Sequence, residues 1–405
     1  PSIFVLLLVH VSIKSLFFEH MAQTTPAPIA LKIDRAEGVW LYDEKGNAYL
    51  DLIAGISVSS LGHQNEQVVN AIKTQVDKHM HVMVYGEVIH DTPVAFSKSI
   101  TDLLPDSLNN VYFVNSGSEA IDAAMKLAKR ITGRTSFVAQ HNAYHGSGQG
   151  PLSLMDDAYF TQRYRPLLND VRYIDQNDCS AVDELPVEGV AAVIVELVQA
   201  ERGARKADLL YLQKLRQYCD ATCSLLIFDE IQTGMGRTGS LFAFEQFDVI
   251  PDILTIAKAF GGGMPIGAFI SSKENMALLT QDPILGHITT FGGHPVCCAA
   301  ALANLEVITE KESWLSEVQD KGNQFVRLLQ HRRVKEIRQI GLMMAVELNS
   351  AEEVDHIIQE LMKEGIIGFY FLSTRNAFRL APPLCIASHE IEWACSRITG
   401  VLDRL

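Results

Sequence analysis

An acid and an amine each close a short apolar run in this chain: Asp229 follows Leu225 to Phe228, and Lys258 comes shortly after Ile253 to Ile256. Apolar runs of that length read as buried strands. A lysine set between Ala257 and Ala259 and followed by three glycines is poorly explained as a solvated face. Burial lowers the pKa of an amine and so favours its nucleophilic form. A carboxylate after four apolar residues is costly unless a cation faces it. An acid and an amine brought to one end of a sheet suit a pyridine-aldehyde cofactor. The amine forms a Schiff base with the aldehyde, while the acid keeps the ring nitrogen protonated so that the ring accepts electrons.

Three other motifs bear on that reading. Asn115-Ser-Gly-Ser-Glu119 lies between an apolar run ending at Val114 and a helical stripe of Ile121, Met125 and Ala128. Ser116 and Glu119 have capping-box spacing, and Gly117 lets backbone approach a ligand closely. A helix start with free N–H groups and two hydroxyls is a natural anion site, although a capped helix with no ligand has the same pattern. In His141-Asn-Ala-Tyr-His-Gly-Ser-Gly148 the histidines are four apart, but the glycines argue against a metal-binding helix. Tyr144 suits a lid over a flat ring, with a plain surface loop as the alternative. Gly234-Met-Gly-Arg-Thr-Gly239 spells a dinucleotide fingerprint, yet it lies several residues beyond its strand and no suitable acid follows. No Walker loop or Gly-x-Ser-x-Gly elbow occurs, which weakens the kinase, ATPase and serine-hydrolase readings.

Positioning such residues takes alternating strands and helices. Candidate strands are 111–114, 136–138, 171–174, 190–195, 225–228, 253–256 and 266–270, with helical stripes between several of them. This alternation predicts an α/β fold, a mostly parallel seven-stranded sheet sandwiched by helices. Residues 39–50 read as two strands around a turn at Gly46-Asn47. Strands at 343–348 and 366–371, a helix over 351–364 and a last helix from Ser388 predict a smaller α+β domain. The expected division is a large domain over 61–300 and a small one built from 1–60 and 301–405.

Composition narrows the class of protein. With 405 residues, 48% hydrophobic and 20% charged, the chain is long enough for two cores and ordinary for a globular protein. A net charge of −14 without a basic run argues against a nucleic-acid partner. Seven cysteines without a disulfide or metal-ligand pattern predict buried thiols and a cytoplasmic protein, with no metal. The apolar run Ile3 to Val9 has no preceding basic residue and is soon interrupted by His10, Ser12 and Lys14. Neither a membrane span nor a secretory signal is expected from it.

In order along the chain, these motifs resemble the class III aminotransferases, pyridoxal 5'-phosphate (PLP) enzymes of fold type I that include ornithine and acetylornithine aminotransferases. The resemblance runs from about Leu31 to the C-terminus and is most specific over Leu226 to Gly239 together with Lys258. It implies that Lys258 carries the Schiff base and moves the proton, and that Asp229 pairs with the pyridine nitrogen. It implies further that Gln232 touches the ring's phenolic oxygen, that Ser116, Gly117 and Ser118 hold the phosphate, and that Tyr144 and His145 lie against the ring. Thr290, in Thr289-Thr-Phe-Gly-Gly-His-Pro295, corresponds to a threonine reaching the neighbouring subunit's phosphate, which implies a homodimer. Arg379 matches the arginine that grips a substrate carboxylate, with a strand-end salt bridge as its alternative role. Glu201, at the cofactor and substrate side, matches the glutamate that pairs with this arginine. Residues of the 80–87 segment, Tyr85 among them, are candidates for the entrance.

The chain departs from the family pattern in two places. Glu196-Leu-Val-Gln-Ala-Glu201 lacks the usual proline and glycine and is followed by Arg202, and His294 stands where asparagine is usual. These changes bear on the walls of the pocket and leave the cofactor contacts in place. The expected reaction moves an amino group from a terminal-amine donor to 2-oxoglutarate, with no nucleic acid or membrane involved. The alternatives are a PLP-dependent decarboxylase, aminomutase or epimerase of the same fold, and a scaffold protein without turnover.

Overall fold

The computed structural model describes residues 12–310 and 312–405; the apolar run Ile3 to Val9 lies outside them. Its centre is a seven-stranded sheet. Across the sheet the strands are Asn110–Val114, Gly267–Ser271, Ile253–Ile256, Leu225–Asp229, Val190–Glu196, Ser136–Gln140 and Val171–Ile174. All neighbours run parallel except Gly267–Ser271, which is antiparallel to both of its partners. Every residue of Val190–Glu196, Ser136–Gln140 and Ile253–Ile256 is buried. Continuous apolar runs are what a sheet covered on both faces requires. One face packs against the Gly117–Thr132 helix. The other packs against helices that include Leu209–Thr222 and Pro295–Glu310.

The expected strands are present, most of them a residue or two longer or shifted by one. The expected strand over 366–371 is broken. Ile366–Ile367 pairs parallel with Leu50 and Asp51, whereas Phe369–Tyr370 pairs antiparallel with Phe378 and Arg379. Gly365 at φ +78° and Gly368 between the two pairs let the chain leave one sheet and enter another. The 39–50 hairpin forms around Gly46 at φ +83° and gains a third strand, Ile33–Glu37. Glu336–Ile340 and Ala377–Leu380, also unread in the sequence, flank Met343–Glu347 in a four-stranded antiparallel sheet, and Val198–Gln199 pairs with Arg205–Lys206 in a further unexpected two-stranded one.

The Gly234–Gly239 segment forms turns, with Gly236 and Gly239 at φ +88° and +95°. Arg237 inside it is fully buried. Its Nη1 donates to the carbonyls of Leu342 (3.0 Å) and Pro382 (2.5 Å), and its Nη2 donates to Ser60 Oγ (3.4 Å). Burial pulls its pKa down to about 10, against the nearby charge of Asp51. The residue thus pins the loop after Asp229 to the turn after Arg379. Arg237→Met removes these donors and leaves two buried carbonyls unpaired. A loss of about 2–4 kcal/mol in unfolding free energy is expected from denaturant titration, and a loss within error would show that the tie is replaceable.

All seven cysteines are free. No helix among the described residues is long and apolar enough to cross a membrane.

Candidate active site

Parallel strands put their C-terminal ends along one sheet edge, where ligands bind in open α/β sheets. Glu196 and Asp229 end adjacent strands in register, and Lys258 starts the turn after the next strand. The edge opens into a cavity of about 530 Å³. Lys258, Asp229, Gln232, Ser116, Gly117, Ser118, Tyr144 and His145 all line it. Eight of the candidate residues are thereby brought together.

Lys258 is half-buried, with its backbone in the left-handed region at φ +51°. Among the described residues, none forms a hydrogen bond or ion pair with its amine. Desolvation lowers the amine's pKa, against the raising effect of Asp229 and Glu201. An amine so placed is nucleophilic nearer neutral pH than a surface lysine is.

Asp229 is 5% exposed. Its Oδ1 accepts from the N–H of Ile231 at 3.0 Å, and its Oδ2 lies 2.7 Å from His145 Nδ1. Burial pushes the His145 pKa down, but the hydrogen bond to Asp229 and the charges of Asp229 and Glu196 outweigh it, so the net shift is upward. His145 Nε2 is buried and, among the described residues, has no hydrogen-bond partner. His141 turns to a different acid, with Nδ1 2.5 Å from Asp156. The two histidines of the loop therefore do not converge.

The Gly117–Thr132 helix points its N-terminus into the cavity. Ser116 Oγ accepts from the N–H of Glu119 at 3.2 Å. The Glu119 carboxylate returns to the Asn115 N–H (2.6 Å) and side-chain amide (2.9 Å), not to Ser116, so the capping box expected from the spacing closes one residue earlier. Ser118 Oγ accepts from the Gly148 N–H at 3.0 Å, which anchors the Tyr144 loop over the helix start. A Cβ on Gly117 would lie 2.8 Å from Ile231 Cδ1, so only glycine fits between helix start and cavity wall.

These residues fit PLP. The free amine of Lys258 suits the aldehyde, the buried acid paired with His145 suits the pyridine nitrogen, and the open helix start with its hydroxyls suits the phosphate. Half-buried Tyr144, whose OH is 3.1 Å from Ser147 Oγ, presents its ring to the same space.

Glu196 carried no role in the sequence reading, yet it lines the cavity. It accepts from the N–H groups of Tyr144 (3.0 Å) and Ala200 (3.1 Å). Burial, with the neighbouring Asp229, raises its pKa to about 7, against the pull of His145. The signal was available: Glu196 follows the six-residue apolar run Val190 to Val195 just as Asp229 follows its own. Val58 and Met264 also line the cavity and had no sequence signal.

Arg379 and Glu201 stand off the cavity wall, both buried. Arg379 Nη2 contacts both Glu201 oxygens, at 2.6 and 2.7 Å, while its Nε reaches the Tyr370 carbonyl at 3.3 Å. Glu201 also accepts from the Leu372 N–H at 2.9 Å. Both charges are felt at Lys258. Thr290 is exposed and lies outside the cavity, with its Oγ1 3.5 Å from Tyr85 OH. Tyr85 lines a separate apolar concavity with Val88, Val94 and Phe113.

The sequence pattern of class-III aminotransferases matches residues 21–402. The acetylornithine aminotransferase of Methanopyrus kandleri is 37% identical over 386 residues, covering 95% of this chain and 96% of that protein. The acetylornithine aminotransferase of Bacillus cereus is also 37% identical, over 91% and 94% of the two chains. The ornithine aminotransferase structure of Toxoplasma gondii superposes with a TM-score of 0.90 at 27% identity, over 99% of both chains. An amine transaminase of an uncultivated Pseudomonas species, solved in a PLP-bound form, superposes with a TM-score of 0.86 at 27% identity, over 95% of this chain and 98% of that one.

Proposed function

The chain belongs to the class III aminotransferases, PLP-dependent enzymes of fold type I, and from that premise we propose that it moves an amino group from a terminal-amine donor of the acetylornithine type to 2-oxoglutarate. The observation that carries the substrate reading is the buried Arg379–Glu201 pair beside the lysine cavity. A planar guanidinium binds a carboxylate through two parallel hydrogen bonds, as a dicarboxylate acceptor requires. With Glu201 on the arginine, its charge is neutralised for a donor that presents a distal amine; with Glu201 withdrawn, the arginine is free for the acceptor's carboxylate. The names of the relatives at 34–37% identity support acetylornithine as the first donor to try.

When bound, PLP supplies an aldehyde for the lysine amine and a ring that takes up an electron pair from the substrate carbon. The protein's residues then divide the work. Lys258 Nζ, free of partners, holds the cofactor and moves the proton at the reacting carbon. Asp229 holds a proton on the ring nitrogen, and His145 keeps that carboxylate oriented. Ser116, Gly117 and Ser118 receive the phosphate, Gln232 the phenolic oxygen, and Tyr144 covers the ring and limits water. Glu201 belongs at the edge of the same cofactor site as well as on Arg379.

We assign Thr290 to the neighbouring subunit's phosphate. Its exposed position beside Tyr85 supports this, within a surface that exposes Met80, Met83, Ile89, Val94, Ile288 and Phe291. Large exposed apolar groups concentrated in this way suit a subunit interface, hence a homodimer. The free cysteines agree with a cytoplasmic setting.

Half-reactions test the proposal. The donor alone should bleach the yellow holoenzyme, and 2-oxoglutarate should restore the colour with glutamate as product. Product formation from the donor with no oxo acid present would favour a decarboxylase, aminomutase or epimerase instead. Arg379→Lys is expected to raise KM for 2-oxoglutarate about tenfold or more with a smaller change in kcat, because a point charge replaces a two-pronged contact. An unchanged KM in steady-state assays would remove Arg379 from the carboxylate site.

A further inference from the structure

A second concavity, of about 400 Å³, opens between the 202–206 segment and the Glu336–Ile340 strand. It shares no lining residue with the lysine cavity. Four cations, Arg202, Arg205, Lys206 and Arg338, line it, and no carboxylate does. On a chain of net charge −14 this grouping runs against the average surface.

The neighbouring groups leave the cations incompletely matched. Arg338 is 9% exposed. Its Nη1 pairs with Glu336 and Glu347, and its Nε donates to the Gly203 carbonyl at 2.6 Å. Its Nη2 is buried with no acceptor among the described residues. Gln176 Nε2, on the same concavity, is a second buried donor with no acceptor among the described residues. Arg202 reaches Asp175 only at 3.5 Å and Gln199 at 3.3 Å. Lys206 lies over the Phe247 ring at 4.8 Å, with Gln246 at 3.4 Å. Arg205 is exposed and, among the described residues, has no side-chain partner. Buried donors without acceptors are costly, and native structures seldom keep them without a ligand or water.

Glycine makes the approach possible. Gly203 is at φ +80°, and a Cβ there would lie 2.8 Å from Arg338 Nη2. Any side chain at 203 would thus collide with the unpaired end of the guanidinium, and glycine lets the loop pack closely against it. Guanidinium groups set around a concavity are the usual recognition chemistry for phosphate and carboxylate oxygens.

We propose that this concavity binds a small oxyanion bearing two or more negative charges, of the phosphate or dicarboxylate kind, held by Arg202, Arg205, Lys206 and Arg338. The site is separate from the carboxylate grip at Arg379. It nevertheless lies on the same stretch of chain: Arg202 follows Glu201 directly, and Arg338 and Arg379 both pair with Ala345 across the sheet.

The test is calorimetric titration of the PLP-loaded protein, whose cofactor phosphate already fills the helix-start site. Inorganic phosphate and succinate serve as separate probes, at constant ionic strength set with potassium chloride. One saturable site per chain is expected for at least one probe, and whichever binds more tightly identifies the class. The double variant Arg202→Gln/Arg205→Gln should weaken binding about tenfold or more, and Arg379→Lys should change it little. Both substituted side chains reach solvent, so folding should be preserved; Lys206→Gln provides an independent weakening if it is not. The proposal is overturned if neither probe saturates, or if the double variant binds as the parent does. It is equally overturned if binding disappears in Arg379→Lys, which would put the anion on the catalytic arginine.

Discussion

Lys258→Ala is expected to lower transamination by roughly 10⁴-fold or more while leaving the fold intact. The structure explains why the effect should be confined to chemistry. Among the described residues the Lys258 amine has no bonded partner, so its removal strands none of them. Desolvation already works against its charge, so loss of the amine relieves a cost. The thermal midpoint of the cofactor-free variant should therefore match or exceed that of the cofactor-free parent. Glutamate formation from acetylornithine and 2-oxoglutarate reads the first expectation, and calorimetry reads the second. Turnover within tenfold of the parent would falsify the assignment of Lys258 as the reacting amine.

Asp229→Asn should cost roughly 10²–10³-fold in kcat, with less effect on the KM of either substrate. The substitution keeps size and removes charge, so the geometry around Ile231 and His145 is largely retained. A neutral amide can no longer hold a proton on the cofactor's ring nitrogen. His145 also loses the hydrogen bond and charge that outweigh its burial, so its raised pKa should fall. Histidine NMR across a pH series would follow that change directly. A parent-like kcat with an unshifted His145 would show that charge at position 229 is dispensable.

The edge that carries the candidate site was legible in the sequence because its parts are local. Asp229 and Lys258 each lie just beyond a buried strand, and a strand end in a parallel sheet is a position that sequence pattern can find. Gly117 was legible for the same reason, as a glycine between a strand and a capped helix. Glu196 obeys the same rule, closing its own buried strand just before the Glu201 motif begins. What the sequence withheld is long-range. Nothing near Arg237 announces that its side chain fastens carbonyls at positions 342 and 382. The 366–371 segment has uniform β character, and only its glycines hint that it serves two sheets. Strand Ala377–Leu380, which carries Arg379, is short and bounded by polar residues and prolines, so its period was too brief to read.

The pairing of Leu50 and Asp51 with Ile366 and Ile367 has a consequence for synthesis on the ribosome. The N–H of Leu50 bonds to the carbonyl of Gly365 at 2.8 Å, and the N–H of Ala381 to that of Leu52 at 2.7 Å. The 40–51 hairpin thus has partners that emerge only long after it, at positions 365–381. Such distant closures are slow and expose unpaired edges in the meantime. A nascent chain stalled before Gly365 should accordingly be protease-sensitive over residues 40–51, and chaperone demand should fall once residues 365–381 have emerged.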